Sequence, residues 1–234
     1  LVVLASWQHT DRPRTYFVLL SLLFTGLFGT FTALNFFHWF LYWELALVPP
    51  FFLIKLFGKG EERHSAALNF FLFTVLGSVA MLLGFLFLYQ KTGTFDFIEL
   101  AEKGDNVSPL IFCAVLAGLW VKVPLAPLHI WQAPAYAAAP TPVAMLLTGV
   151  MSKMGVYGFL RIVVPILPVQ LGEYAGALLG FALITILWGA FLALRQTDLE
   201  RRLAVSSLNH VAYCVLGVGT LGIAADGLKS DAHA

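Results

Sequence analysis

The chain has 234 residues, of which 59% are hydrophobic and only 12% charged, with a mean hydropathy of +0.84. Soluble domains carry about 25% charged residues, so a water-soluble enzyme is excluded. The near balance of 14 Lys and Arg against 13 Asp and Glu leaves no basic field for nucleic acid. Several apolar runs reach the roughly 18 residues needed to cross a hydrocarbon core of about 30 Å. The class is an all-α, polytopic transmembrane helical bundle whose first partner is the lipid bilayer, and 21 Phe suit lipid-facing and interfacial surface. The chain opens on Leu1 rather than Met and stops in a polar tail just after a span, as an excised piece of something longer would. Its start carries no signal-peptide pattern.

In chain order, hydropathy and polar punctuation predict seven spans near residues 16–34, 36–57, 65–90, 109–131, 141–163, 173–194 and 203–224. The first two nearly touch at Leu34-Asn35-Phe36, which demands a very tight turn, and every later orientation depends on it. With seven crossings, the side holding residues 1–15 collects Arg12, Arg14, Lys55, Lys59, Arg63, Arg195, Arg201 and Arg202. Opposite lie Lys91, Lys103, Arg161 and Lys229. Basic residues are retained on the cytoplasmic side, so residues 1–15 are expected there. The 91–108 loop then faces outward, and its Phe95, Phe97, Ile98 and Leu100 among Asp96, Glu99 and Glu102 predict a short amphipathic turn at the interface, a structural lid.

Three charged residues fall deep within spans: Glu44, Lys122 and Lys153. An ionisable group at the bilayer centre costs at least about 2.5 to 3.5 kcal/mol, so such groups usually face the protein interior and mark ion or proton routes. The bland alternative is a buried ion pair that only fixes helix packing. It serves for Glu44 with Lys122, but leaves Lys153 without a second deep carboxylate. Desolvation disfavours a charged lysine and a nearby carboxylate favours it, so making and breaking a Glu44 contact would switch Lys122 between holding and releasing a proton. At 4 Å and an effective dielectric near 20 such a contact is worth about 4 kcal/mol.

Lys122 is followed by Val123-Pro124-Leu125-Ala126-Pro127-Leu128-His129, and Pro124 and Pro127 remove two backbone donors and clash with carbonyls a turn earlier. The helix is predicted to break near 122–129. A break at membrane depth is tolerated where the freed backbone is buried in protein or lines a hydrated cavity; a packing kink is the alternative. Pro49-Pro50 loosens the second span just after Glu44. His129 and His210 are candidates for a relay, since neutral imidazole both donates and accepts. Ser206, Ser207 and Asn209 accompany His210 in an otherwise apolar run and would hold water. For His38, at a span end, an interfacial hydrogen bond is expected instead.

Other signals are discounted. Gly217-Val218-Gly219-Thr220-Leu221-Gly222 matches the dinucleotide fingerprint by letter but lies inside an apolar span, so close helix packing is its expected use. Gly172, Gly176 and Gly180 are expected to form a helix contact face. Cys113 and Cys214 lie in apolar runs without metal-ligand spacing and are expected to be inert core thiols. No cofactor site or metal site is visible in the chain.

Four stretches taken together resemble a known family. They are Leu41-Tyr42-Trp43-Glu44-Leu45-Ala46-Leu47-Val48-Pro49; Val121 through His129; Ala139-Pro140-Thr141-Pro142-Val143 through Gly149-Val150-Met151-Ser152-Lys153-Met154-Gly155; and Gln196-Thr197-Asp198-Leu199-Glu200-Arg201 through Ser207-Leu208-Asn209-His210. In that order they resemble the antiporter-like membrane subunits of respiratory complex I, most nearly the M-type chain (chain 4, or D in photosynthetic naming). The resemblance implies that residues 1–163 form the first five-helix inverted repeat and residues 164–234 the first two helices of a second, incomplete one. It implies Glu44 as the carboxylate tuning the helix-break lysine, Lys122 as the proton-loading lysine, Lys153 as the lateral transfer lysine and His210 as a relay onward. Where the family usually has Trp-Leu-Pro-Asp-Ala-His, this chain reads Trp131-Gln132-Ala133-Pro134-Ala135-Tyr136, and the loss of that Asp and His counts against any proton entry assigned to that loop.

The function implied is proton translocation in an NADH:quinone oxidoreductase of a bacterial inner membrane. NADH, FMN, iron-sulfur clusters and quinone are expected in partner subunits, and neighbouring membrane-arm and antiporter-like subunits are the expected partners. Related sodium/proton antiporter and membrane-bound hydrogenase subunits share the motifs, and are told apart by sodium dependence and by electron donor. A structural scaffold is the reading from another class, in which Lys153→Met would keep activity and even raise stability.

Overall fold

The computed structural model describes residues 1–7, 11–103 and 107–232, with side chains through residue 224. After a short α1 (Val2–Ala5) come α2 (Pro13–Thr32), α3 (Phe36–Leu45), α4 (Val48–Phe57), α5 (Arg63–Thr92), α6 (Phe97–Lys103), α7 (Pro109–Lys122) and α8 (Gln132–Ala138). They are followed by α9 (Thr141–Ile166), α10 (Pro168–Arg195) and α11 (Leu199–Ala232). Among the described residues no strand is present beyond one isolated bridge, Asn35 to Asp96. Among the described residues six helical stretches have the length and apolarity of membrane spans, with α3 and α4 counted as one, and α7 is a seventh, shorter apolar helix. The chain is an integral membrane helical bundle.

Contacts at the two ends fix the path. At one end, Lys59 donates its backbone N–H to the Ala138 carbonyl (2.7 Å), its Nζ meets Glu200 at 2.6 Å, and Arg201 meets Glu62 at 3.6 Å. At the other, Gln170 Nε2 donates to the Val107 carbonyl (2.7 Å) and the Arg161 guanidinium lies 5.5 Å from the centre of the Phe97 ring. The basic residues expected on the side of residues 1–15 thus share one end, with Lys91, Lys103 and Arg161 at the other; the side chain of Lys229 and residues 8–10 and 104–106 lie outside what is described. The fourth predicted span, 109–131, crosses as α7, a turn and α8, and ends at Ala138 rather than 131.

The demanding turn between the first two spans is real. Asn35 caps α3, its side chain accepting from the His38 N–H at 3.0 Å, and its oxygen lies 2.9 Å from His38 Nδ1, the interfacial hydrogen bond expected for that histidine. The 91–108 loop holds this turn down: the Phe36 N–H donates to the Phe95 carbonyl (2.8 Å) and the Phe97 N–H to the Leu34 carbonyl (3.2 Å). Within α6, Phe97 and Leu100 are buried while Ile98 is 66% exposed. The lid is therefore a short amphipathic helix with one buried stripe, as the sequence pattern predicts, and Ile98 lies off that stripe.

Both interruptions follow from proline. Pro49 and Pro50 cannot donate to Leu45 and Ala46, so α3 ends at Leu45, Leu47 N–H turns back to the Glu44 carbonyl (3.0 Å), and α4 starts afresh at Val48. The second break, after Lys122, is buried from Lys122 to Ala126, and several of its freed groups are taken up. Leu125 N–H reaches the Trp120 carbonyl that Pro124 leaves empty (3.1 Å). Trp131 Nε1 donates to the Val121 carbonyl (3.2 Å), and the Ala126 N–H donates to Thr185 Oγ1 of α10 (3.0 Å). This is the condition under which lipid tolerates a broken helix.

Two sequence expectations are corrected. Cys113 and Cys214 are exposed on the surface of the chain rather than in its core, since they sit on the outward faces of α7 and α11. A Cβ on Gly176 or Gly180 would meet no atom within 4 Å, because α10 packs through Leu171, Ala175, Leu178 and Ala182 instead. In the fingerprint-like stretch, Gly219 and Gly222 do approach α10 closely, at Leu179 and at Leu171, whereas Gly217 faces open space.

Candidate functional site

Lys122 is the last residue of α7 and is only 2% exposed. Its ammonium lies 4.9 Å from the centre of the Trp43 ring and its Nζ is buried with no hydrogen-bond partner. A desolvated cation over an indole face gains about 2 kcal/mol. Trp43 is itself held: its Nε1 donates to Ser78 Oγ of α5 at 3.0 Å, and its ring lies 4.5 Å from that of Trp39. Glu44 follows Trp43 at the α3 break, with Oε1 buried and without a hydrogen-bond partner. Its charge is felt at Lys122, yet no ion pair joins them, the three salt bridges among the described residues all lying elsewhere. The two opposite charges are thus neighbours held apart, with Trp43 under the lysine.

Close packing sets this geometry. A Cβ on Gly26 would come within 2.5 Å of Ala46 N and 2.8 Å of Ala46 Cα, so only glycine lets α2 lie against the α3 break. Likewise a Cβ on Gly155 would lie 3.2 Å from Val123 N and 3.4 Å from the Lys122 carbonyl carbon, which brings α9 against the second break.

Lys153, two residues before Gly155, points the other way. It is exposed at the surface of the chain and its Nζ donates to the Thr148 carbonyl at 2.5 Å. That carbonyl lies in a π-helical turn, Leu147–Met151, and also accepts from Ser152 Oγ (3.0 Å). The wider turn shifts the backbone pairing and leaves room for side-chain donors at these carbonyls. Thr148 also lines a cavity of about 580 Å³ between α9 and α11, together with Tyr136, Ser206, Ser207 and His210. His210 lines this cavity and Lys153 is tied to its wall through the Thr148 carbonyl, with Cys214, whose Sγ lies 3.4 Å from the His210 carbonyl, within electrostatic range of Lys153.

Ser207 accepts a hydrogen bond from Gln132 Nε2 at 3.0 Å. Asn209 is turned away from the cavity toward Gly189 of α10, and its Oδ1 is buried without a partner. His129 accepts from Trp188 Nε1 at 3.2 Å, beyond the break and apart from the cavity. The site thus has two parts, Glu44 with Lys122 at the proline breaks and His210 at the cavity, with Lys153 bonded to the Thr148 carbonyl of its wall. Sequence reasoning missed Trp43 and Ser78, and its only signals were an indole beside the deep carboxylate and a hydroxyl at mid-span. Among the described residues no cluster of three or more His, Cys, Asp or Glu is placed to hold a metal.

The family model described as NADH:quinone oxidoreductase/Mrp antiporter, transmembrane, matches residues 33–229. The chain belongs to this family. It is 36% identical to NAD(P)H-quinone oxidoreductase chain 4 of Thermosynechococcus vestitus, over 97% of this chain and 43% of that protein. It is 34% identical to NADH-quinone oxidoreductase subunit M of Rickettsia bellii, over 88% of this chain and 42% of that protein. The chain thus spans less than half the length of these relatives. Among solved structures it is similar to a chain of respiratory complex I from Thermus thermophilus, at TM-score 0.77 and 27% identity over 92% of this chain and 51% of that one. It is also similar to a chain of the Mrp complex from Dietzia, at TM-score 0.78 and 25% identity over 86% and 38% of the two chains.

Proposed function

We propose that this chain is the central portion of a proton-translocating, antiporter-like subunit of an NADH-type quinone oxidoreductase. The observation that carries this reading is Lys122: a deeply buried ammonium at a helix break, over an indole, electrostatically within reach of Glu44 but not paired with it. A purely structural charge would be neutralised by its neighbour, because an uncompensated buried charge costs several kcal/mol. A lysine held short of its carboxylate is instead poised to gain or lose a proton as the distance changes. Movement at the two proline breaks alters that distance. A proton released from Lys122 passes laterally to Lys153 and His210 across the cavity between α9 and α11.

In this reading residues 1–163 form one five-helix repeat and residues 164–234 open a second. The chain carries no electrons, and NADH, FMN, iron-sulfur clusters and quinone belong to partner subunits. Neighbouring membrane-arm subunits, including further antiporter-like ones, cover its exposed apolar faces, and residues 1–15 lie on the cytoplasmic side of a bacterial inner membrane. The relatives that are 34% and 36% identical bear quinone-oxidoreductase names, which favours this reading over a sodium/proton antiporter. The test is Glu44→Gln in the complete complex. The number of protons moved per NADH falls if Glu44 tunes Lys122, and an unchanged stoichiometry contradicts the coupling; transport that requires sodium and ignores NADH favours the antiporter instead.

A further inference from the structure

Behind the wall of the α9/α11 cavity lies a polar group that no step above uses. Gln132, the first residue of α8, is 1% exposed. Its Nε2 donates to Ser207 Oγ at 3.0 Å, while its Oε1 is buried with no hydrogen-bond partner. The Gln132 side chain also lies against the Tyr136 hydroxyl, as does Ser152. Tyr136 is 3% exposed and donates to the Leu147 carbonyl of the π-helical turn at 3.1 Å. Ser207 and Tyr136 both line the cavity, so Gln132 bridges two wall residues from the protein side. Toward the interior, the preceding residue, Trp131, is bonded through Nε1 to the Val121 carbonyl (3.2 Å), one residue from Lys122.

A buried amide oxygen left without a donor costs free energy unless something supplies one. Water is the donor at hand, since the adjoining cavity has the volume to hold it and its mostly apolar wall carries the polar groups of Tyr136, Ser206, Ser207 and His210. We propose that Gln132, with Tyr136 and Ser207, forms an uncharged water gate between the His210 cavity and the Lys122 break, in the loop where the acidic and imidazole side chains usual in the family are absent. Gln132 does not titrate. Its Oε1 accepts from a water on the interior side while its Nε2 keeps Ser207 turned inward. A proton then crosses by successive transfers in which each water takes one proton and gives up another. Neutral side chains suit this position, because a fixed cation there would repel the proton and a fixed anion would hold it.

The inference rests on the proton-translocating reading, so its test separates the two. In inverted vesicles containing the complete complex, proton uptake and NADH oxidation are compared for wild type, Gln132→Met, Gln132→His and Lys122→Ala, with assembly checked for each. Met matches Gln in length and leaves the Ser207 hydroxyl its bond to the Ala204 carbonyl (2.7 Å). Gln132→Met should lower proton uptake at least fivefold and raise its solvent deuterium isotope effect, while Gln132→His, which still donates and accepts, should retain most of it. Equal uptake and isotope effect in Gln132→Met and wild type overturn the gate, and so does equal loss in the Met and His variants. If Gln132→Met fails to assemble, Ser207→Ala is read in the same way. Unchanged pumping in Lys122→Ala defeats the parent reading, whereas loss in Lys122→Ala with none in Gln132→Met defeats the gate alone.

Discussion

Gly26 is where the packing of α2 controls the position of Glu44. A Cβ there would sit 2.5 Å from Ala46 N, 2.8 Å from Ala46 Cα and 2.9 Å from the Leu45 carbonyl carbon. All three are backbone atoms of the break itself, so no side-chain rotation relieves the clash. Restoring an ordinary separation of about 3.4 Å requires α2 and the break to part by about 0.9 Å, a displacement that well-packed interiors resist. Overpacking of this kind costs about 1 to 3 kcal/mol, a shift of roughly five- to 150-fold in a folding equilibrium. Gly26→Ala should therefore lower the denaturation midpoint of the complex and, by moving Glu44 relative to Lys122, reduce the protons pumped per NADH in whatever complex assembles. Gly180→Ala is the control: its Cβ meets nothing within 4 Å, so only helix propensity acts, and stability should hold or rise by up to about 1 kcal/mol. If Gly26→Ala matches Gly180→Ala in stability and in stoichiometry, the close approach does not position the carboxylate.

Thr185→Val leaves the buried Ala126 N–H at the Lys122 break without its 3.0 Å acceptor and should cost about 1 to 3 kcal/mol, whereas Thr185→Ser should cost little; thermal denaturation of the purified complex compares the two. Asn35→Ala removes the cap of α3 and should destabilise by about 0.5 to 2 kcal/mol, with Asn35→Asp close to wild type in the same assay.

Much of the architecture was legible because a bilayer restricts the choices. Apolar runs gave the spans, and the proline pairs at 49–50 and at 124 and 127 marked both breaks, since a missing N–H acts wherever it occurs. Glu44 and Lys122 stood out because a charge at membrane depth is expensive. What pattern did not carry was direction. Lys153 was expected to face inward, yet it lies on the exposed side with its ammonium on the Thr148 carbonyl. That placement depends on a π-helical turn, which no residue pattern in that segment announces. Asn209 and His210 are adjacent in sequence but lie about 100° apart around α11, so one meets α10 and the other the cavity. The glycine rows show the same limit, because four-residue spacing defines a face without saying whether this chain covers it. Trp43 became significant only when α7 placed an ammonium over its ring, a contact between residues 79 positions apart.

The decisive measurement is NADH-driven proton uptake in inverted membrane vesicles containing the complete complex, for wild type and Lys122→Ala, with electron transfer recorded in the same sample. Proton uptake should collapse in the variant, with electron transfer either inhibited alongside it or running uncoupled. If a correctly assembled Lys122→Ala complex moves protons and electrons at wild-type rates, the buried lysine only holds helices together, and the chain does not pump through it.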